Sequence, residues 1–337
     1  MKAFVSRVLS GIDSLAIEEV PAPGPLGPGQ IRIALRAASI NFRDTTVLAG
    51  AYGPAGPQGL IPCSDGAGEI IEVAPDVVRL KVGDRVALTF NPEWIGGPYR
   101  ASLAGMGRGS SAVPGTMREQ IVVHYSEAVV VPQHLSFEEG AAYPCAGVTA
   151  WHALCAAVPL MPGMSVLLQG GGGVSLFALQ FAKMYGARVI MTSSSPERCA
   201  RLKDLGADEV IDYKAEPEWN KTVRALTNGA GVDLTIDIGG ADTVERSLAS
   251  TRNGGRLALV GILTGWANTV SSLFASGVDI TPVKVGSRDN FEALNRAVAF
   301  HKSRPVIAAR YTFEQLPEAL RHLQSGRHMG KIVIGFD

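Results

Sequence analysis

The residues with the plainest chemical purpose are four consecutive glycines, Gly170, Gly171, Gly172 and Gly173. A short apolar run, Val166–Leu168, leads into them. A helical pattern leaves them, with Val174, Phe177, Ala178, Phe181, Ala182 and Tyr185 recurring every three or four residues. Gly186 falls where a helix C-terminal cap needs positive φ, and a second apolar run, Val189–Met191, begins three residues later. Strand, turn, helix and strand in about thirty residues is the size of a βαβ unit. The first turn of a helix offers free N–H groups and the positive end of the dipole, and a dinucleotide pyrophosphate is anionic. The backbone reaches that phosphate only where side chains are missing. Gly170 is expected to make the tight turn and Gly172 to allow the close approach, with Ser175 in place of the third fingerprint glycine. Framed by strand, helix and strand, the motif reads as a dinucleotide site rather than a flexible loop.

The next strand sets the choice of dinucleotide. NAD-specific domains place an Asp or Glu roughly 20 residues beyond the glycines to accept from the ribose 2′-OH. Here the strand runs into Thr192-Ser193-Ser194-Ser195-Pro196-Glu197-Arg198, with no carboxylate at its tip. The hydroxyls of Ser194 and Ser195 can donate to a phosphate. Arg198 begins the next helix beside them, and Lys214 is a further candidate. NADP(H) is the expected cofactor, with Glu197 serving the helix dipole. A merely solvated Arg198 is the alternative.

Around this centre the chain changes texture. The first ~130 residues read as short strands broken by Pro and Gly: Lys2–Val8, Leu15–Val20, Ile31–Ile40, Ala67–Ala74, Arg85–Leu88, Gln120–His124 and Ala128–Val131. That pattern suits a β-barrel-like domain. Residues 91–116 read as one long irregular loop, the length of a functional segment, and Trp94 and Trp266 are expected to shape a pocket. From about 137, Ser136-x-x-Glu139 reads as a capping box. Strands and helices then alternate through Val278–Val285, as in a doubly wound parallel sheet. A last helix and strand, Pro317–Gln324 and Lys331–Phe336, return to the first domain. The expected division is 1–130 with 288–337, and 131–287.

Composition narrows the function classes. The chain has 337 residues, 46% hydrophobic and 18% charged, with formal net charge zero. Length and hydrophobic content suit two cores. Zero charge without a basic run disfavours nucleic acid and anionic membranes. No apolar run approaches the roughly 20 residues that span a bilayer, and the N-terminus lacks the apolar core of a signal peptide. Cys63, Cys145, Cys155 and Cys199 form no CxxC pair, which disfavours a disulfide framework or clustered metal site. A cytoplasmic protein acting on small molecules is expected.

The order of motifs resembles the medium-chain dehydrogenase/reductase superfamily in its quinone-oxidoreductase-like branch. It runs through AASINFRDTTVLAGAYG (37–53), IPCSDGAGEIIEVAPDV (61–77), KVGDRVA (81–87), LSFEEGAAYPCAGVTAWHAL (135–154), the glycine unit, LGADEVIDY (205–213), NGAGVDLTIDIGG (228–240), GGRLALVG (254–261) and GRHMGKIVIGF (326–336). The resemblance implies an α/β fold: a GroES-like β-barrel domain plus a Rossmann doubly wound parallel sheet domain. It implies that Asn41, Asp44, Tyr52 and Ser64 line the substrate cleft, with Asn41 donating to substrate or carboxamide and Tyr52 placing a proton or stacking on a ring. It carries Thr149, Val174 and Gly261 over as cofactor contacts, and Arg198, Tyr213 and Arg327 as contacts to the 2′-phosphate. Asn41 and Asp44 equally suit a capped turn. Zinc relatives carry Cys near Asn41 and Gly-His-Glu where Cys63-Ser64-Asp65 stand. Only Asp65, Asp44 and Cys63 remain as ligands, so no metal is expected.

Without a Lewis acid the easier hydride acceptor is an activated double bond, whose charge spreads onto an oxygen met by hydrogen-bond donors. The leading expectation is an NADPH-dependent, zinc-independent reductase of quinones, enones or enals. An alcohol dehydrogenase is the second. The third, from another class, is an NADPH-binding sensor or RNA-associated protein with little turnover, against which the lack of basic-aromatic interleaving counts. A homodimer joined through Val278–Val285 is expected, because exposed strand edges close each other across a two-fold axis.

Overall fold

The computed structural model describes residues 1–52, 55–56, 59–105, 107–155, 159–261, 263–265 and 276–336. Trp266 lies outside the described residues. The first segment carries β1 (Lys2–Ser6), β2 (Leu15–Glu19), β3 (Gln30–Ile40), α1 (Phe42–Leu48), β4 (Asp65–Val73), β5 (Arg85–Leu88), β6 (Gln120–His124), β7 (Ala128–Val130) and α2 (Phe137–Ala141). After one π-helical turn, Tyr143–Gly147, come α3 (Val148–Cys155), β8 (Ser165–Gln169), α4 (Gly173–Met184), β9 (Arg188–Ser193), α5 (Pro196–Asp204) and β10 (Glu209–Asp212). Next are α6 (Trp219–Leu226), β11 (Val232–Asp237), α7 (Val244–Ser250), β12 (Thr251–Leu259) and β13 (Asp279–Pro282). The chain closes with α8 (Arg288–His301), β14 (Ile307–Thr312), α9 (Leu316–Gln324) and β15 (Lys331–Gly335).

Two compact units result, Met1–Val148 with Val285–Asp337, and Thr149–Lys284. The boundary near 148 differs from the one expected at 130. Segment 131–148 stays with the first unit because α2 packs on β3, β4, β5 and β15. Its Glu139 also pairs with Arg304 at 2.6 Å, and the Ser136–Glu139 capping box forms as read.

In the first unit the 11-residue β3 organises the sheet. Its early residues pair antiparallel with β6, its last four with β15, and its other edge with β4. The register sets Ser39 opposite Asp65 and Ile40 opposite Ile332. The end of β3 and the starts of β4 and β15 therefore converge. Ile40, Leu48, Leu316, Leu320 and Ile332 bury together beneath that point, each side chain contributing about 1.5–3 kcal/mol.

In the second unit all six strands run parallel in the order β10-β9-β8-β11-β12-β13. This is the Rossmann order, reversing between β8 and β11, where such sheets bind ligands. β13 is shorter than the expected Val278–Val285, spanning Asp279–Pro282, with the Val283 N–H making one further bond to the Leu259 carbonyl at 2.9 Å.

Candidate active site

β8 runs into Gly170, whose φ of 66° suits glycine, and whose N–H donates to the Thr192 carbonyl at 2.7 Å. Gly171 is buried, and Gly172 caps α4 without a side-chain bond. The first bond onto the helix runs from the Leu176 N–H to the Gly172 carbonyl, 3.0 Å. The N–H groups of Gly173, Val174 and Ser175 thus have no partner within the helix. A Cβ at position 172 would meet nothing within 4 Å. An uncapped, approachable, positive helix end is a fit for a pyrophosphate. Ser175 has its own task, its hydroxyl donating to the Gln169 carbonyl at 2.6 Å and tying helix to strand.

Behind the loop, buried Gln169 donates to Asp237 at 3.1 Å and Ser247 at 2.7 Å, and accepts from the Ile238 N–H at 3.2 Å. The network fixes the carboxyl ends of β8 and β11. Gly261 donates to the Asp237 carbonyl at 3.2 Å, and a Cβ there would stand 1.9 Å from the Ile238 oxygen. Glycine at 261 is therefore required by backbone packing. Thr149, the first residue of this unit, is buried in α3.

At the tip of β9 the serines separate. Ser193 is buried, and among the described residues its hydroxyl has no partner, an orphan that a bound polar ligand would satisfy. Ser194 is half-buried. Ser195, expected to donate to a phosphate, is instead the N-cap of α5 and accepts from the Arg198 N–H at 3.4 Å. Its hydroxyl also serves the Glu197 carboxylate, which the residue's own N–H and then that bond hold below the usual range. Glu197 is thus turned back on its helix end. Arg198 is half-buried and Tyr213 is 40% exposed. Arg327 belongs to the first unit, where its Nε donates to Ser325 at 3.4 Å.

In the first unit the converging strand ends bury a polar cluster. Asp65 is fully buried. Its Oδ1 accepts from Ser64 at 2.7 Å, and its Oδ2 from Asn41 Nδ2 at 3.0 Å, Cys145 N–H at 3.3 Å and Ser39 at 3.4 Å. Lys331, 3% exposed, donates to the Ile40 carbonyl at 2.8 Å and Asn41 Oδ1 at 2.6 Å, with Asp65 Oδ2 at 3.8 Å. An ammonium only donates, so it fixes the Asn41 amide with oxygen toward Lys331 and nitrogen toward Asp65.

These bonds engage three of the residues expected at the substrate cleft. Asn41 does not turn its donors outward, because Asp65 and Ser64 take them. Ser64 is fully buried with its hydroxyl on Asp65. Asp44, 1% exposed, accepts from the Asn41 N–H at 2.7 Å and closes the first turn of α1, as the capped-turn alternative had it. Tyr52 is 56% exposed, with the Arg43 guanidinium 5.8 Å from its ring centre. In the long loop, Trp94 lines a cavity of about 310 Å³ together with Glu93, Arg100 and Leu103. Sequence reasoning missed Lys331, Arg43 and Cys145.

Asp44 has a consequence for pH. Burial pushes its carboxyl up to about 6, against the pull of Arg43 and the Asn41 N–H. Among the described residues its Oδ1 has no hydrogen bond. An acid raised in the folded state binds its proton more tightly there than in the unfolded chain, where Asp titrates near about 3.9. Its stabilising contribution is complete below about pH 4 and is lost as pH rises through 6. The two limits differ by about 3 kcal/mol at most. Between pH 4 and 7, wild-type unfolding free energy should fall relative to Asp44→Asn by that order. Parallel urea-unfolding curves for the two proteins would refute the assignment.

Comparison with known proteins decides the family. Residues 27–133 match the alcohol dehydrogenase GroES-like domain and residues 173–299 match the zinc-binding dehydrogenase family. The chain is 34% identical to a zinc-type alcohol dehydrogenase-like protein of Schizosaccharomyces pombe, over 100% of this chain and 99% of that one. It belongs to the medium-chain dehydrogenase/reductase superfamily. A quinone oxidoreductase of Pseudomonas aeruginosa is 35% identical over 72% of this chain and 68% of its own. The solved structure of a putative alcohol dehydrogenase from Sinorhizobium meliloti 1021 matches with a TM-score of 0.92 and 37% identity, covering 99% of this chain and 98% of that one. The chain is thus an oxidoreductase of a fold that binds a nicotinamide cofactor, with its GroES-like and Rossmann parts as expected.

By the resemblance read from the sequence, Cys63-Ser64-Asp65 stand where zinc members carry Gly-His-Glu. Cys63 holds φ 68°, a left-handed conformation natural to glycine. Its thiol is buried, and desolvation with the carboxylates of Asp44 and Asp65 raises its pKa well above the usual range. Among the described residues no three His, Cys, Asp or Glu side chains gather to hold a metal ion.

Proposed function

We propose that this member of the superfamily is an NADPH-dependent, zinc-independent reductase of an activated C=C or C=O bond, of quinone, enone or enal type. The observation that carries the reading is the Lys331 ammonium bonded to Asn41 beside Asp65. A carboxylate that already balances a buried cation has little charge left for Zn²⁺. The α4 N-terminus would hold the pyrophosphate, and Ser194, Arg198 and Tyr213 the 2′-phosphate side. When bound, the reduced nicotinamide supplies the hydride. In the first unit, Lys331 and Asp65 fix Asn41, and Tyr52 remains turned outward as a donor for a substrate carbonyl.

A panel of quinones, enones, enals and alcohols, read by NADPH consumption or NADP⁺ reduction, tests this. Turnover is expected on the first three classes, unaffected by chelators, with well under one zinc per chain. Stoichiometric zinc whose removal abolishes turnover would transfer the chain to the alcohol dehydrogenases. Tight cofactor binding with no turnover would favour the sensor reading.

The same reading includes a homodimer joined through β13. Among the described residues this strand ends the sheet, pairing only with β12, and an open edge invites its two-fold copy. Light scattering should give twice the chain mass at micromolar concentration, and a monomer there would count against the pairing.

A further inference from the structure

Arg43 is a cation with more donors than partners. It lies on α1 between Asn41 and Asp44, with 14% of its side chain exposed. Nη1 donates to the Arg108 carbonyl at 2.8 Å and stands 3.6 Å from Asp44 Oδ1 without a hydrogen bond. Nε and Nη2 bond no described residue, although a guanidinium carries five N–H groups in a fixed fork. The group is flanked by aromatic rings, with Phe90 4.8 Å and Tyr52 5.8 Å from its centre. Gly107 keeps the surroundings clear. A Cβ there would stand 2.7 Å from the Phe90 ring and 3.5 Å from Arg43 Nη2.

Such a fork matches one chemical group above others, a carboxylate held bidentately. The local charges agree. Lys331 is committed to Asn41 and Asp65, and Asp44 meets Arg43 from the buried side, leaving Nε and Nη2 for an incoming anion. The aromatic rings suit a planar, conjugated body attached to that anion.

We infer that Arg43, set between Phe90 and Tyr52, anchors a substrate carboxylate, so that the substrate is an α,β-unsaturated carboxylic acid. The inference rests on the reading of the chain as a reductase of activated double bonds. The reaction adds hydride from the reduced nicotinamide to the β-carbon and a solvent proton to the α-carbon. The C=C π bond is lost, the acid is reduced to its saturated form and the nicotinamide is oxidised. A carboxylate is a poor electron acceptor because charge must build on oxygens that are already negative. A guanidinium on those oxygens offsets that build-up, which makes Arg43 useful in the transition state as well as in binding.

The test compares cinnamate with methyl cinnamate, which share the conjugated body and differ in whether it carries the anion, and it reads the change in their ratio between variants. Wild type sets the reference acid-to-ester ratio in kcat/KM. Arg43→Gln should shift the acid-to-ester ratio by about 10- to 150-fold against the acid, the worth of a charge-assisted hydrogen bond. Arg43→Lys, which keeps charge without the fork, should fall between. Equal losses on both substrates would overturn the inference in favour of a structural role through the Arg108 carbonyl. Where neither is turned over, the panel of quinones, enones and enals decides the reductase reading separately. Calorimetric binding of the saturated acid 3-phenylpropionate then decides: binding lost in a folded Arg43→Gln protein supports the anchor, and no binding to wild type overturns it.

Discussion

Lys331→Met is expected to destabilise the first unit by about 3–5 kcal/mol, the cost of leaving a buried charge without its partner. Asp65 is fully buried, and Lys331 is the cation bonded into its cluster. Methionine has nearly the volume of lysine, so packing changes little. The loss is electrostatic, together with two acceptors left unmet, the Ile40 carbonyl and Asn41 Oδ1. A second substitution separates the two contributions. Asp65→Asn placed on Lys331→Met removes the stranded charge, and its Nδ2 can face the Ser64 hydroxyl, which rotates to accept. The double variant should recover most of the loss, keeping about 1–3 kcal/mol for the unmet acceptors. Urea unfolding of wild type, single and double variants reads this directly. A single variant within about 1 kcal/mol of wild type, or a double variant no better than the single, would show that the ammonium does not balance Asp65.

The cluster also shows where a single sequence stops being informative. The Rossmann half was legible because each element there is announced locally. Glycine turns, 3.6-residue apolar periods and short apolar runs alternate, and Gly170 and Gly186 take the positive φ their positions implied. The strands of the first unit were legible for the same reason. β14 was not, because IAARYT alternates half-buried and exposed residues that include Ala and Arg, a weak strand signal. α1 hid behind two threonines and only seven residues, and its one local mark was the Asn41–Asp44 pair. Lys331 gave no signal at all. A lysine opening a strand reads as solvated, and only the pairing of β15 with the end of β3 carries it to Asn41, 290 residues away. For the same reason the bonds that hold Asn41 to Asp65 and Lys331 were not legible. Sheet register brings Asp65 and Lys331 to Asn41, whereas Ser64 bonds its own sequence neighbour Asp65.

Cofactor choice should respond to Arg198 alone. Position 198 is the third residue of α5, in the turn capped by Ser195. A phosphate bound there would gain both the helix dipole and the guanidinium. The neighbouring carboxylates do not oppose this strongly. Glu197 is bonded to Ser195 and its own N–H, and Asp212 accepts from the Lys214 N–H at 3.0 Å. With Ser195 committed as the cap, the proposed NADPH site would rest more on Arg198 than the run of three serines suggests. A hydrogen bond to a charged group is worth about 1.5–3 kcal/mol. Arg198→Ala should therefore weaken NADPH binding about 10- to 150-fold. NADH lacks the 2′-phosphate and should bind the variant nearly as it binds wild type. Titration of both cofactors by nucleotide fluorescence separates the outcomes. Equal weakening would make Arg198 a general support of the Rossmann edge, and a wild-type preference for NADH would remove the 2′-phosphate site altogether.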